Sequence, residues 1–283
     1  MDIILEKAYA KVNLGLDIIG KRSDGYHELS MIMHSIDLYD ELLIKKETDG
    51  KRYYHTDSSN LKMDETNLVC RAAELFCQTY DVEEGFSVDL KKRIPMAAGL
   101  AGGSSDAAAT LRGLNRLFEK NVSLAELAAL GNSLGADVPY CVFGKTALAE
   151  GTGEKLRMLS DLPKLGYLLV KPDVGISTKW AYDMIDKTLG YEHPDIVGIA
   201  EAIQCRNTEK IFEKMGNSFE SVIIPVYPVI GEIKKIMEEN GAKKALMSGS
   251  GSAVFGIYDN PDKMKKTEEK IKLLNTEFFY KIW

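Results

Sequence analysis

Apolar and polar residues alternate with a period of two over residues 3–9, 12–19 and 41–46, which predicts strands. The alternation returns over 86–91, with Phe86, Val88 and Leu90 on one side. Between these runs, residues 67–80 carry Leu68, Ala72, Leu75 and Phe76 at helical spacing. Pro95 opens a Gly/Ala/Ser-rich loop, and residues 104–118 behind it predict a second helix. A third helix starts at Ser123, which forms a capping box with Glu126, and Gly135 is expected at its C-terminal end.

The polar, proline-containing stretch 160–164 predicts a link between two domains, 1–159 and 160–283. Beyond it, residues 167–170 read as a strand and 178–189, 195–204, 207–215 and 226–239 as helices. Two strands, 244–247 and 253–258, flank a Ser-Gly turn; a helix over 261–274 and a strand over 277–282 follow. Strands and helices mix in both halves without a regular βαβ alternation, so an α+β fold is expected.

Composition narrows the function. The 283 residues carry 36 Lys and Arg against 42 Asp and Glu, a net charge of −6, which argues against nucleic-acid binding of the usual basic kind. No stretch approaches the roughly 18 apolar residues that span a bilayer, and Met1–Lys7 lacks the pattern of a signal peptide. The four cysteines contain no C-x-x-C pair, which suits free thiols in a reducing cytoplasm. The four histidines lack zinc-ligand spacing, so no resident metal is expected.

The chemistry concentrates in Pro95-Met96-Ala97-Ala98-Gly99-Leu100-Ala101-Gly102-Gly103-Ser104-Ser105. Glycines let a ligand approach the main chain, and the following Ala-rich helix turns free N–H groups and its positive end toward the loop. That is an anion site, with phosphate its commonest occupant. Neither G-x-G-x-x-G nor G-x-x-x-x-G-K-[ST] is present. The Ser248–Ser252 turn is expected as a hairpin with glycine at positive φ. Taken singly, Asp137 reads as a helix N-cap before Pro139, Lys11 as a solvated strand lysine, and His27 as an exposed turn residue.

Together these segments resemble the GHMP kinases. Ala8-Tyr9-Ala10-Lys11-Val12-Asn13-Leu14, Gly25-Tyr26-His27-Glu28-Leu29, Lys92 through Ala108, Gly135-Ala136-Asp137-Val138-Pro139 and Ser248-Gly249-Ser250-Gly251-Ser252 stand in family order. The resemblance implies a two-domain fold, with an N-terminal domain like ribosomal protein S5, a ferredoxin-like C-terminal domain and the site between them. The early Lys-Val-Asn and Gly-Tyr-His segments resemble the branch that uses ATP to phosphorylate the 2-hydroxyl of a cytidine diphosphate-linked methylerythritol, in the non-mevalonate isoprenoid pathway. Other branches act on homoserine, a sugar or mevalonate, and a non-catalytic ligand-sensing member is a further alternative.

On that resemblance Asp137 accepts the hydroxyl proton, while Lys11 keeps Asp137 ionised and stabilises the developing charge. Residues 95–105 wrap the ATP phosphates with Mg²⁺ bridging them, and Asn67 and Lys92 lie near the nucleotide; no metal ligands are implied. Asn13 and His27 make polar contacts to cytosine, and Tyr26 and Tyr182 stack on its two faces. The expected partner is the small substrate alone, with no nucleic acid or membrane, and the protein is a monomer or homodimer. The family loop commonly reads Gly-Leu-Gly-Gly-Gly-Ser-Ser; because Ala101 replaces the middle glycine, position 101 is expected outside the positive-φ region.

Overall fold

The computed structural model describes residues 2–274 and 278–282, with side chains described through Leu273. The predicted alternation at the start becomes two long strands, β1 (Ile3–Lys21) and β2 (His27–Glu47), joined by the expected turn at Asp24-Gly25. They are followed by β3 (Arg52–Thr56), α1 (Leu68–Thr79), β4 (Gly85–Lys91), α2 (Gly102–Leu117), α3 (Leu124–Gly131) and α4 (Val138–Phe143). Then come β5 (Thr146–Gly151), β6 (Lys155–Met158), β7 (Gly166–Lys171), α5 (Thr178–Ile185), α6 (Ile196–Gln204), α7 (Thr208–Lys214), β8 (Gly216–Asn217) and α8 (Glu220–Ile223). The described chain closes with α9 (Pro228–Glu239), β9 (Lys244–Met247), β10 (Val254–Tyr258), α10 (Pro261–Ile271) and β11 (Phe278–Ile282). The predicted first residue of that last strand, Glu277, lies outside the described residues.

Two compact units divide the chain. The first holds the residues up to Ala10, Asp37–Met96 and Ala101–Gly144; the second holds Lys11–Ile36, Ala97–Leu100 and the chain from Lys145.

In the first unit, β4 pairs antiparallel with β2 from Glu41 to Glu47 and parallel with β3. Leu38, Asp40, Leu42 and Ile44 share the buried phase of β2, so a carboxylate stands in an otherwise apolar row. Helices α1 and α2 bury Phe76, Leu111 and Leu114 in the same unit. The Ser123–Glu126 capping box is present, with Ser123 Oγ accepting from Glu126 N and Glu126 Oε2 accepting from Ser123 N at 3.1 Å. The helix it starts stops at Gly131, with Asn132 as C-cap, four residues short of the expected Gly135. Residues 132–134 form a turn at its end instead, where Leu134 N donates to Gly131 O at 2.9 Å.

In the second unit, β2 from Leu29 to His34 pairs antiparallel with β5, β5 pairs with β6, and β1 pairs with β8 at Gly15 and Leu16. A separate four-stranded sheet has the order β11-β7-β10-β9 with antiparallel pairing throughout. Numbered along the chain, that order is fourth, first, third, second, with helices after the first and third strands: the ferredoxin-like βαββαβ arrangement. The strand β10 is buried at all five positions, as befits a central strand covered on both faces. Among the described residues Cys70, Cys77 and Cys141 are buried free thiols and Cys205 an exposed one, and no helix is long and apolar enough to cross a membrane.

One buried charge cluster organises the first unit. Lys92 Nζ pairs with Asp40 Oδ2 and, at 2.7 Å, with Asp106 Oδ2. Asp40 Oδ1 also accepts from the backbone N–H groups of Arg93 and Ile94. Asp106 Oδ1 is buried without a partner. Two carboxylates thus share one amine, and burial, reinforced by Asp40 and opposed by Lys92, pushes the Asp106 carboxyl well above the usual carboxylate range.

The two acids should respond differently to substitution. Asp40→Ala leaves the Arg93 and Ile94 N–H groups unpaired, the second of them buried, and should cost about 3–5 kcal/mol. Asp106→Asn removes a charge that burial disfavours and should stay within about 1 kcal/mol of wild type. A folded-state pKa above the unfolded value means the folded chain binds the extra proton between the two. Stability therefore falls as pH rises upward from about 3.8 through that window. Urea denaturation across this range should show the fall in the wild type and its loss in Asp106→Asn.

Candidate active site

The period of β1 places Lys11 and Asn13 on one side of the strand, and both are buried, at 4% and 0% exposure. Lys11 is therefore no solvated strand lysine. Its Nζ donates to Asn13 Oδ1 at 2.7 Å and to Gly99 O at 3.0 Å, and its backbone N–H donates to Leu100 O at 3.1 Å. These partners of the amine are neutral oxygens, so its charge is oriented without being cancelled. Ser248 Oγ adds a second hydrogen bond to Gly99 O, at 2.9 Å. Gly99 has φ +75°, and a Cβ there would stand 2.0 Å from Ser248 O, so the two backbones meet where only glycine fits.

The Ser-Gly turn joins β9 to β10 as the expected hairpin, with Gly249 and Gly251 at positive φ. It also packs on the glycine loop: Ala253 N donates to Ala98 O at 3.2 Å. Asn217 Nδ2 donates to Met247 O and Gly249 O, each at 2.8 Å, and holds the turn from beneath.

In the first unit the loop leads from Ala101 into α2. Ala101 lies at φ 56°, ψ 29°, in the left-handed region, and corrects the expectation that alanine would exclude it. Leu100 is buried and its carbonyl is held by the Lys11 N–H, so the sharp turn into the helix falls on the next residue whatever its side chain. The strain amounts to about 1–2 kcal/mol relative to right-handed backbone. As N-cap, Ala101 supplies no side-chain acceptor, and the first intrahelical bond runs from Ser105 N to Ala101 O at 2.8 Å. The N–H groups of Gly102, Gly103 and Ser104 thus begin a 16-residue helix uncapped, as a phosphate cradle requires. Ser105 faces inward, its Oγ donating to Tyr9 O at 2.7 Å. Pro95 and Met96 precede the turn, with Met96 exposed.

Asp137 stands at the N-cap position of α4, but its backbone is right-handed helical and its side chain makes no cap bond. A half-buried carboxylate left free of capping is available for chemistry. Asn67 caps α1, its Oδ1 accepting from Val69 N at 2.9 Å while Nδ2 donates to Lys62 O at 2.7 Å. The Lys92 amine is taken up by Asp40 and Asp106.

A third group gathers in the second unit. The rings of His27 and Tyr182 stack with centroids 4.5 Å apart and an interplanar angle of 17°. Phe219 packs edge-on against Tyr182 at 5.0 Å. His27, at 8% exposure, is not the exposed turn residue its position suggests, whereas the neighbouring Tyr26 is 67% exposed. His27 Nε2 meets Asp186 Oδ1 at 2.7 Å, and Lys21 Nζ meets Asp186 Oδ2 at 2.5 Å. Asp186 was not legible as a site residue, although it lies four residues beyond Tyr182 on one helix face, the spacing that could have revealed it. Asn217 gave no signal: its strand is two residues long.

A family model described as the GHMP kinases N terminal domain matches residues 67–145, and one described as GHMP kinases C terminal matches residues 199–274. The chain belongs to the GHMP kinases. Among its relatives, the 4-diphosphocytidyl-2-C-methyl-D-erythritol kinase of Lachnospira eligens is 50% identical over 264 residues, covering 93% of this chain and 92% of that protein. The enzyme of the same name from Bacillus subtilis is 46% identical over 263 residues, covering 93% and 91%. A crystal structure of 4-(cytidine 5'-diphospho)-2C-methyl-D-erythritol kinase is similar with a TM-score of 0.83 and 33% identity, over 99% of this chain and 98% of that one. A homoserine kinase from Cytophaga hutchinsonii, at 20% identity and TM-score 0.77, shares the fold.

Gly99→Ala forces a side chain into the Ser248 backbone at positive φ and should cost at least about 2 kcal/mol. Ala101→Gly relieves strain but frees the unfolded chain, and should be neutral or stabilising within about 1 kcal/mol. Chemical denaturation of the two variants beside wild type measures both.

Proposed function

We propose that this chain transfers the γ-phosphoryl group of ATP to the 2-hydroxyl of 4-diphosphocytidyl-2-C-methyl-D-erythritol. The observation that carries the reading is the 50% identity, over 93% of the chain, to a relative bearing that enzyme's name. The His27–Tyr182 stack and the buried Lys11–Asn13 pair supply chemistry suited to it. Along the chain, the family's two domains divide near residue 160.

Phosphoryl transfer asks mainly for positioning and for stabilisation of charge. Asp137 accepts the proton of the substrate hydroxyl. An alcohol holds its proton tightly at neutral pH, so a base must take it as the oxygen attacks. Lys11, held by neutral oxygens, keeps a full positive charge for the carboxylate and the transferring group. The N–H groups of 102–104 bind phosphate oxygens along the axis of α2. Asn13 and His27 read the polar edge of the base, and the exposed Tyr26 presents an aromatic face, worth about 1–3 kcal/mol when a base stacks on it, while Tyr182 packs against the His27 ring.

ATP brings Mg²⁺ with it in this chemistry. Among the described residues no three His, Cys, Asp or Glu side chains gather as a metal centre. A nucleotide-borne Mg²⁺ needs only one or two protein oxygens, because phosphates and water complete its octahedron. The Ser104 hydroxyl, in the first turn of α2, is an oxygen donor of that kind. The residues fit, and the ion would neutralise charge on the phosphates.

Purified protein with ATP and the cytidine substrate should form a singly phosphorylated product, while homoserine, mevalonate and simple sugars are left unmodified. Asp137→Asn should lower turnover by roughly 10²–10⁴-fold with ATP affinity retained. Near-normal turnover in that variant removes Asp137 as the base.

A further inference from the structure

His27 opens β2, and Asp186 follows the last turn of α5. Both oxygens of the Asp186 carboxylate are engaged: Oδ2 by the Lys21 amine at 2.5 Å and Oδ1 by His27 Nε2 at 2.7 Å. The Lys21 hydrogen bond first, and that of His27 second, hold this carboxyl below its usual range. An ionised carboxylate only accepts hydrogen bonds, so the hydrogen between the two residues belongs to Nε2. In the neutral imidazole, Nδ1 is then a bare acceptor. The ring cannot easily turn to exchange the two nitrogens, because Tyr182 lies flat against it and Phe219 backs Tyr182. Among the described residues no group of the protein is hydrogen-bonded to Nδ1.

We propose that Asp186 is a positioning residue that fixes His27 with Nδ1 as an acceptor, and so selects cytosine over uracil. The two bases differ at the 4-position: cytosine carries an amino donor and uracil a carbonyl acceptor. An acceptor at Nδ1 pairs with the first and faces the lone pairs of the second. A buried polar atom left facing its own kind is the strongest rejection a small site can build. Lys21 belongs to the same device, since its charge keeps Asp186 an acceptor. The inference rests on the reading that the substrate carries cytidine.

The test has two arms. In ligand-free protein labelled with ¹⁵N at histidine, at a pH where the imidazole is neutral, His27 Nε2 should give the protonated, pyrrole-type signal and Nδ1 the pyridine-type signal. Asp186→Ala should move both toward exchange-averaged positions. In steady-state assays the same variant should raise KM for the cytidine substrate about 10–100-fold, leave KM for ATP within about 2-fold, and lower the preference for the cytidine over the uridine form of the substrate to match. A merely structural role would move both KM values together. A protonated Nδ1 in the wild type, or an unchanged base preference in Asp186→Ala, overturns the proposal. If the wild type fails to phosphorylate the cytidine substrate at all, the functional reading falls, and the nitrogen signals still decide the tautomer.

Discussion

The close approach of two backbones at Gly99 is the constraint on which the second unit's chemistry depends. The Gly99 carbonyl receives hydrogen bonds from Lys11 Nζ and Ser248 Oγ, and no room remains on that residue for a side chain. Its position fixes three things at once. The amine of Lys11 is aimed by it; the hairpin turn after β9 is seated on it; and Leu100 is brought to the Lys11 N–H. The left-handed turn at Ala101 follows, because a chain held on one side and entering a helix on the other has one residue in which to change direction. Alanine there shows that the surrounding geometry, rather than the intrinsic preference of the residue, sets the backbone.

Two buried lysines illustrate how the same group is put to different uses. Lys92 sits between two carboxylates in the first unit, and the excess negative charge is relieved by holding Asp106 toward its neutral form. Such a cluster fixes structure, because every strong donor and acceptor in it but one is consumed. Lys11 is held by an amide oxygen and a carbonyl oxygen, which orient the ammonium without neutralising it. An oriented, uncancelled cation is what a transferring phosphoryl group calls for. Sequence position alone does not separate the two lysines. Their neighbours in space do.

Much of this was legible in the chain before any coordinates. The hairpin strands β9 and β10, the helix α1 and the capping box at Ser123 follow from periodicity and local hydrogen-bonding chemistry, and these are properties of contiguous residues. The long strands β1 and β2 were legible only in pieces, because buried polar residues such as Lys11 and Asp40 interrupt the apolar phase. Strand β3 was missed for the opposite reason: its Arg-Tyr-Tyr-His-Thr sequence is half-exposed throughout and carries no alternation. At the site, the glycine loop was legible as an anion site on its own, and Lys11, Asp137 and His27 came from the resemblance to the GHMP kinases, whereas Asp186, Asn217 and Asp40 act on residues distant in sequence. Their roles are set by tertiary contacts that a linear pattern does not record.

The net charge of −6 illustrates the limit of a global quantity. It weighs against a long polyanion, whose binding grows with the number of phosphates neutralised by lysine and arginine. It does not weigh against a short anion, because uncharged main-chain groups can hold one: the first N–H groups of α2 are unhindered by an acidic or capping side chain in the opening turn. Asp106, the first acid in that helix, is buried against Lys92 and held toward its neutral form, so its charge does not oppose the positive end of the dipole. An acidic protein can therefore present a locally positive surface made of main chain, with the carboxylate nearest to it silenced by burial.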